Sequence, residues 1–397
     1  MKILIVAPDF YPNNGGYANA ITNFITELAK NDIEIIVYTP VVLGTYKELG
    51  AKNVSVIRTN YFKYGPVLIW EFFSYFKLKK IVQDCGVDAV FFETAEFGLL
   101  GYLMTIKFKK VSVRIHGCTE TEVVIFSKNH NKRSSFFTTL FFRKVSYVLS
   151  TNNYHLQFYK KYFLKNNVYE IAEKKFFVVP NIVPGINARN FKNKYDLLRE
   201  YQIAVKDNEK IFFALGRLND VGLIQKGMED LIYAIFLIKN NREVFENIKV
   251  ILVGKGERKD YIVRLTENLG INGKFVFIDE MPHEDVLNFI EVSDCVVLLS
   301  RFEGLSMFAL EALSCGSVLL FARSGGIRDL VQDGLNGYLV DSQNIEMIEE
   351  KIIKIALKDS DEIIKMKRES LKCFNDSFSP SESANKFMKI ANLIKNI

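Results

Sequence analysis

The sequence predicts an α/β protein of two doubly wound, Rossmann-like domains facing a central cleft. Three observations lead to this class. Short apolar runs alternate with stretches of helical periodicity, the pattern of βα units on a parallel sheet. The alternation breaks once, at Pro180-Asn-Ile-Val-Pro-Gly-Ile-Asn, whose prolines and glycine read as a linker. A chain of 397 residues is long enough for roughly two to three domains, each with its own core. The expected division is 1–185, then 186–375, with 376–397 a C-terminal helix crossing back to the first domain.

In chain order, Lys2–Ala7 is an apolar run of strand length. Ala18–Lys30 repeats Ile21, Phe24, Ile25, Leu28 and Ala29 along one helical face. Strand-like runs follow at Ile33–Thr39, Val54–Arg58, Asp88–Phe92, Val111–Ile115, Tyr147–Leu149 and Phe176–Val179. Beyond the linker, Ile211–Leu215, Val250–Val253, Phe275–Ile278, Val296–Leu299 and Val318–Phe321 each precede a helix candidate. Helices near Asn344–Leu357, Glu362–Cys373 and Ser381–Ile394 close the chain.

Hydrophobic content of 49% and charged content of 25% describe a soluble globular protein. MKILIVA is too short for a secretory apolar region, and no run approaches the length of a membrane span. The five cysteines (Cys85, Cys118, Cys295, Cys315 and Cys373) are scattered and form no CxxC pair. The expectation is a cytoplasmic protein without disulfides or zinc. Net charge is +6, yet residues 128–175 hold ten Lys/Arg against two acids, leaving −2 for the remainder. Aromatic residues from Phe136 to Tyr169 interleave with those cations. Such a window suits an anionic membrane surface, on the inner face of the cell membrane, or equally a helix pair with an aromatic core side and solvated lysines. Nucleic acid is the weaker partner, since no nucleic-acid motif accompanies the window.

Chemistry concentrates in Ser300–Val340. The apolar strand ends near Leu299, a Glu-Gly turn follows, and a helix opens at Ser306. A helix N-terminus offers free N–H groups and a positive dipole end, which suit a phosphate. Glu303 and Glu311, eight residues apart, flank it. Carboxylates do not bind phosphate but accept hydrogen bonds from sugar or ribose hydroxyls. Anion cradle and hydroxyl acceptors together point to a nucleotide-sugar.

The run EGLSMFALEAL, followed by GG and DGLNGYLV, resembles the donor-site signature of retaining glycosyltransferases of family 4, the glycosyl transferases group 1, which have the GT-B fold. The resemblance extends from MKILIVAPDFYPNNGG to the final helix. It implies an acceptor-side domain first and a nucleotide-sugar donor domain second. It also implies retention of anomeric configuration without a covalent enzyme intermediate.

The remaining candidate residues follow from position and resemblance together. Gly16, in the loop after the first strand, is implied to approach the donor diphosphate. His116 ends a buried strand just before Gly117, at the sheet edge where doubly wound folds hold ligands. The resemblance implies that it lies near the transferred sugar, and it is not read as a nucleophile. His130, His155 and His283 receive no catalytic role. Arg217 and Lys226 are the two cations expected to neutralise a diphosphate leaving group in place of a metal ion. They match the family's GRL…KG pattern, although nine positions separate them where about five are usual. The N–H groups around Gly304, Leu305, Ser306 and Met307 complete the diphosphate site. Glu303 is assigned to the transferred sugar, Glu311 to the ribose, and Gly254, Glu280 and Met281 to the nucleoside. The DxD-like Asp359-Ser360-Asp361 lies between two helices and is rejected as a metal motif.

The expected activity is therefore metal-independent and cofactor-free: a sugar, most readily from a UDP-sugar, passes to a hydroxyl of a glycan or lipid-linked acceptor in bacterial surface polysaccharide synthesis. A nucleotide-sugar epimerase of the same fold and a non-catalytic nucleotide-sugar binding protein are the competing readings.

Overall fold

A computed structural model describes residues 1–13, 15–40, 49–59, 67–117, 132–165, 175–185 and 191–397. Seven strands make one sheet: β1 (Lys2–Val6), β2 (Glu34–Pro40), β3 (Val54–Thr59), β4 (Ala89–Phe92), β5 (Val111–Ile115), β6 (Val148–Ser150) and β7 (Phe176–Val178). Six make the other: β8 (Lys210–Leu215), β9 (Ile248–Val253), β10 (Phe275–Ile278), β11 (Cys295–Leu298), β12 (Leu319–Ala322) and β13 (Gly337–Val340). The orders are β3-β2-β1-β4-β5-β6-β7 and β10-β9-β8-β11-β12-β13. Every named pairing is parallel, as in the register Ile3↔Ile35 and Ile3↔Ala89 on either side of β1. Parallel sheets need both faces covered, which explains why strands such as β1 and β4 are apolar throughout and buried.

Strand order reverses once in each sheet. β1 lies between β2 and β4, and β8 lies between β9 and β11. Loops leaving the carboxyl ends of β1 and β4, or of β8 and β11, diverge to opposite faces and open a crevice. These two switch points place the candidate site residues.

The chain forms two compact units, Met1–Val183 with Phe378–Ile397, and Pro184–Ser377. The returning segment is the helix Pro380–Lys395, with proline in its first turn and Ser379 as N-cap. Its residues Ala384, Phe387, Ile390, Ala391 and Ile394 join one core with Ile21, Phe24 and Ile25 of helix Gly16–Leu28. Phe387 meets Phe24 edge-on at 5.0 Å and Phe91 of β4 at 4.5 Å.

Two features depart from the sequence reading. The strand β13 was not among the expected runs; it is four residues long and follows the polar turn Asp333–Asn336. Only its pairing with β12 identifies it. The supposed linker is also no loose connection over Val179–Val183, which is buried within the first unit. Asn23 Nδ2 donates to the Ile182 carbonyl at 3.1 Å, tying the segment to the first helix. Residues 186–190 lie outside the described residues.

Because the final helix completes the first unit's core, Phe387→Ala is expected to cost about 3–5 kcal/mol. Urea unfolding should show this as a lowered midpoint for the first unit; an unchanged midpoint would contradict the packing role.

Candidate functional site

The stretch singled out in the sequence lies at the switch point of the second sheet. β8 and β11 end side by side, so the loops Gly216–Asn219 and Leu299–Ser306 leave adjacent strand ends. Ser306 caps helix Met307–Ser314, its Oγ accepting from the Ala309 N–H at 3.4 Å. Gly325 lies beneath this loop with φ of +46°, and a Cβ there would collide with the Glu303 carbonyl oxygen. The Gly326 N–H donates to the Gly304 carbonyl at 2.9 Å. The loop after β12 thus supports Glu303 and Gly304, just ahead of the helix N-terminus with its positive dipole end.

The long spacing between Arg217 and Lys226 has a structural resolution. The extra residues form a short helix, Asp220–Lys226, capped by Asn219, whose Oδ1 accepts from the Gly222 N–H at 2.6 Å. Its last residue returns to Gly216, where the missing side chain makes room for the Lys226 stem. Gly227, with φ of +63°, then turns the chain into helix Met228–Ile238. The Lys226 ammonium meets Glu303 Oε1 in an ion pair, with side chains 17% and 11% exposed. The sequence reading assigned these residues separate partners; the structure joins them. Gln225 reinforces the juncture, its Nε2 donating to the Phe302 carbonyl at 3.1 Å. Arg217 is exposed, and its guanidinium has no partner among the described residues.

Glu311 sits in the second turn of the same helix, 8% exposed. Its Oε1 lies 2.8 Å from Nε2 of His283, the first residue of helix His283–Val292. His283 carries no role in the sequence pattern; nothing in the spacing of residues 283 and 311 foretells the contact. Gly254 follows β9 and abuts the Gly216 carbonyl and Leu218, so a side chain there would break the contact between neighbouring loops. Glu280 is exposed and pairs with Lys255 at 3.3 Å, while Met281 is half-buried.

The switch point of the first sheet holds a second group. Gly16 opens helix Gly16–Leu28 and is exposed, with open space where a Cβ would stand. The next residue, Tyr17, donates its hydroxyl to the Glu93 carbonyl and lies 4.8 Å from the His116 ring. His116 follows β5, and its Nε2 is 2.6 Å from Glu93 Oε2. The same oxygen accepts from Arg114 Nη1 at 3.0 Å. Arg114 is fully buried; Nη2 donates to Pro180 O at 3.0 Å and Asn181 Oδ1 at 3.2 Å, and the guanidinium stacks over Phe24 at 3.9 Å.

Burial opposes the charge on Glu93, yet Arg114 and His116 hold its carboxyl below the ordinary range. For His116, burial and the nearby Arg114 charge together outweigh the pull of Glu93 and lower its pKa. His116 is therefore neutral at neutral pH, and because an ionised carboxylate only accepts, Nε2 carries the proton. Glu93, Arg114, Tyr17 and Asn181 were not singled out from sequence. The available signal was Glu93, an acid directly after the buried strand β4 and beside the switch point.

Within 128–175, Phe141, Phe142 and Tyr159 are core residues, whereas Phe136 and Tyr154 are exposed. Tyr169 and His130 lie outside the described residues. His155 is buried against Asn152 at 3.0 Å, and burial pushes its pKa down to about 4. Asp359 is the N-cap of helix Ser360–Cys373, in a capping box with Glu362. No cluster of metal-ligating side chains occurs among the described residues.

The buried pair yields a test. A carboxylate whose pKa is depressed on folding stabilises the fold above its unfolded pKa of about 4.3 and loses that contribution as pH falls through the folded value. Glu93→Gln, which strands the Arg114 charge, is expected to destabilise by roughly 3–5 kcal/mol at neutral pH. The gap from wild type should narrow only in acid. Denaturant titrations across pH would refute the assignment if the gap were absent or constant.

Comparison with known proteins adds family context. Residues 200–371 match the model for glycosyl transferases group 1. A Methanocaldococcus jannaschii protein described as an uncharacterized glycosyltransferase is 26% identical over 414 aligned residues, covering 99% of each chain. The lipopolysaccharide 1,2-N-acetylglucosaminetransferase of Salmonella typhimurium is 28% identical over 172 residues, 41% of this chain and 42% of that one. Among solved structures, HepE of Anabaena in complex with UDP superimposes with a TM-score of 0.74 over 100% of both chains, at 18% identity. The chain thus has a glycosyltransferase relative along its whole length, adopts the GT-B architecture of two Rossmann-like domains, and carries a glycosyl transferases group 1 domain across residues 200–371.

Proposed function

We propose that this protein is a retaining, metal-independent glycosyltransferase of family 4 type. It moves a hexosyl group from a nucleotide-diphospho-sugar, a UDP-sugar foremost, to a hydroxyl of a glycan or lipid-linked acceptor. The observation that carries the reading is the meeting of Lys226, Glu303 and the N-terminus of helix Met307–Ser314 at one switch point. A cation, a hydroxyl acceptor and an anion cradle there are the parts that a diphospho-sugar requires.

In this scheme the diphosphate rests on the N–H groups of Gly304–Met307, with Arg217 and Lys226 as counter-charges. Fixed positive charge aimed at the departing diphosphate lowers the barrier by on the order of 3 kcal/mol per donor. Glu303 accepts hydroxyls of the transferred sugar, and Glu311 accepts those of the ribose in place of, or beside, His283. Gly254, Glu280 and Met281 border the nucleoside. Gly16 and His116 keep the diphosphate and sugar roles implied by the resemblance. UDP in the Anabaena structure and the lipopolysaccharide acceptor of the Salmonella relative favour a uridine donor and a surface polysaccharide product. The site of action would be the cytoplasmic side of the cell membrane.

A thermal-shift screen against UDP-, GDP- and ADP-sugars is expected to raise the melting temperature most with one UDP-sugar, because a ligand bound only by the native state stabilises it. A flat response to all three would remove the proposal. With the donor known, Arg217→Ala should lower kcat on the order of 100-fold, whereas Glu311→Ala should chiefly raise donor Kd, by roughly tenfold or more. Wild-type kinetics in both variants would discard the site. Activity should survive EDTA; abolition by chelator with rescue by Mg²⁺ would overturn the cation argument.

A further inference from the structure

Helix Val67–Cys85 of the first unit has two unlike faces. Glu71, Ser74, Leu78 and Val82 are buried, and Glu71 Oε2 accepts the Leu100 N–H of helix Gly98–Lys107 at 2.8 Å. The opposite face presents Ile69, Phe72, Phe73 and Phe76, between 48% and 66% exposed. Their spacing of three, four and seven residues aligns them in one stripe. The rings of Phe72 and Phe76 meet at 5.2 Å, and those of Phe72 and Phe73 at 6.0 Å, so the side chains cluster with one another outside the core. At about 100° per residue, Lys80 continues the stripe one turn beyond Phe76, while Lys77 and Lys79 flank it.

We propose that this face seats the first unit on an anionic lipid bilayer, with Phe72, Phe73 and Phe76 in the headgroup–acyl boundary and Lys77, Lys79 and Lys80 on lipid phosphates. An in-plane helix with aromatic residues outward and lysines along its margin matches the two layers of such a surface, apolar beneath and anionic above. A second copy of the chain fits less well, because burying the two stripes together would bring two sets of lysines into contact. No helix among the described residues is long and apolar enough to cross a membrane. The surface lies outside the donor-site residues and does not depend on the proposed transfer reaction.

Co-sedimentation with vesicles of equal parts phosphatidylcholine and phosphatidylglycerol, against phosphatidylcholine alone, tests the proposal. The full chain is expected to bind the anionic vesicles and not the neutral ones. Replacing all three exposed phenylalanines by serine should abolish binding, with the folded state retained because none of the three is a buried core residue. Lys77, Lys79 and Lys80 changed together to glutamine should weaken it by about fivefold per lysine, on the order of 100-fold in all. Absence of binding by the wild type would overturn the proposal, as would undiminished binding by either variant. A wild-type dimer in sedimentation velocity that the serine variant converts to monomer, without vesicle binding, would assign the face to a second copy instead.

Discussion

A guanidinium with no access to water sets the terms for the first unit. Arg114 cannot discharge, since arginine stays protonated in proteins, so its surroundings must neutralise and saturate it. Glu93 supplies the charge, Pro180 and Asn181 supply acceptors, and Phe24 covers the planar face. These partners come from three separated parts of the chain: the end of β4, the segment after β7, and the first helix all close on a residue of β5. Shifting any one of those elements would leave a buried donor or charge without its partner, which ties their packing together. The same constraint fixes His116. With Glu93 ionised, the imidazole must donate through Nε2, so its orientation is set by a residue committed to the core.

The second unit uses the same topology with the opposite electrostatic outcome. At its switch point the cations remain near the surface: Arg217 is exposed, and Lys226 is paired with a single carboxylate. The Ser306 hydroxyl caps the helix N-terminus, where it satisfies one N–H of the first turn. At the first switch point the buried charge of Arg114 is thus neutralised within the unit, whereas at the second the Arg217 guanidinium is exposed. Fold alone would not distinguish them; the burial of Arg114 and the exposure of Arg217 do.

Most of the strands were legible because a parallel sheet buried on both faces needs consecutive apolar residues, which stand out in any sequence. β13 escaped because Gly337–Val340 is short and its identity depends on pairing with β12, a contact between distant residues. Glu303 and Glu311 were legible by their spacing on one loop and helix. Their partners were less so: His283 reaches Glu311 from another helix, and Glu93, Arg114 and His116 meet only when β4 and β5 align. Lys226 stands farther from Arg217 than the family pattern has it, a distance absorbed by a single short helix. The basic, aromatic window at 128–175 places Phe141, Phe142 and Tyr159 in the core, while Ile69, Phe72, Phe73 and Phe76 lie outward on a helix with no unusual charge count. A window average cannot separate the faces of a helix.

The Lys226–Glu303 pair bears on how the proposed donor would be recognised. While paired, the ammonium satisfies the carboxylate, and neither is fully available to a ligand. A diphosphate drawing Lys226 away would free Glu303 to accept sugar hydroxyls, and hydroxyls occupying Glu303 would in turn release the ammonium toward phosphate. Each half of a diphospho-sugar then relieves the cost of binding the other, whereas a nucleotide without its sugar breaks the ion pair and brings no hydroxyls to the carboxylate in exchange. Discrimination between the activated sugar and its spent nucleotide would follow from one ion pair, and so would product release, since loss of the sugar restores the carboxylate's claim on Lys226.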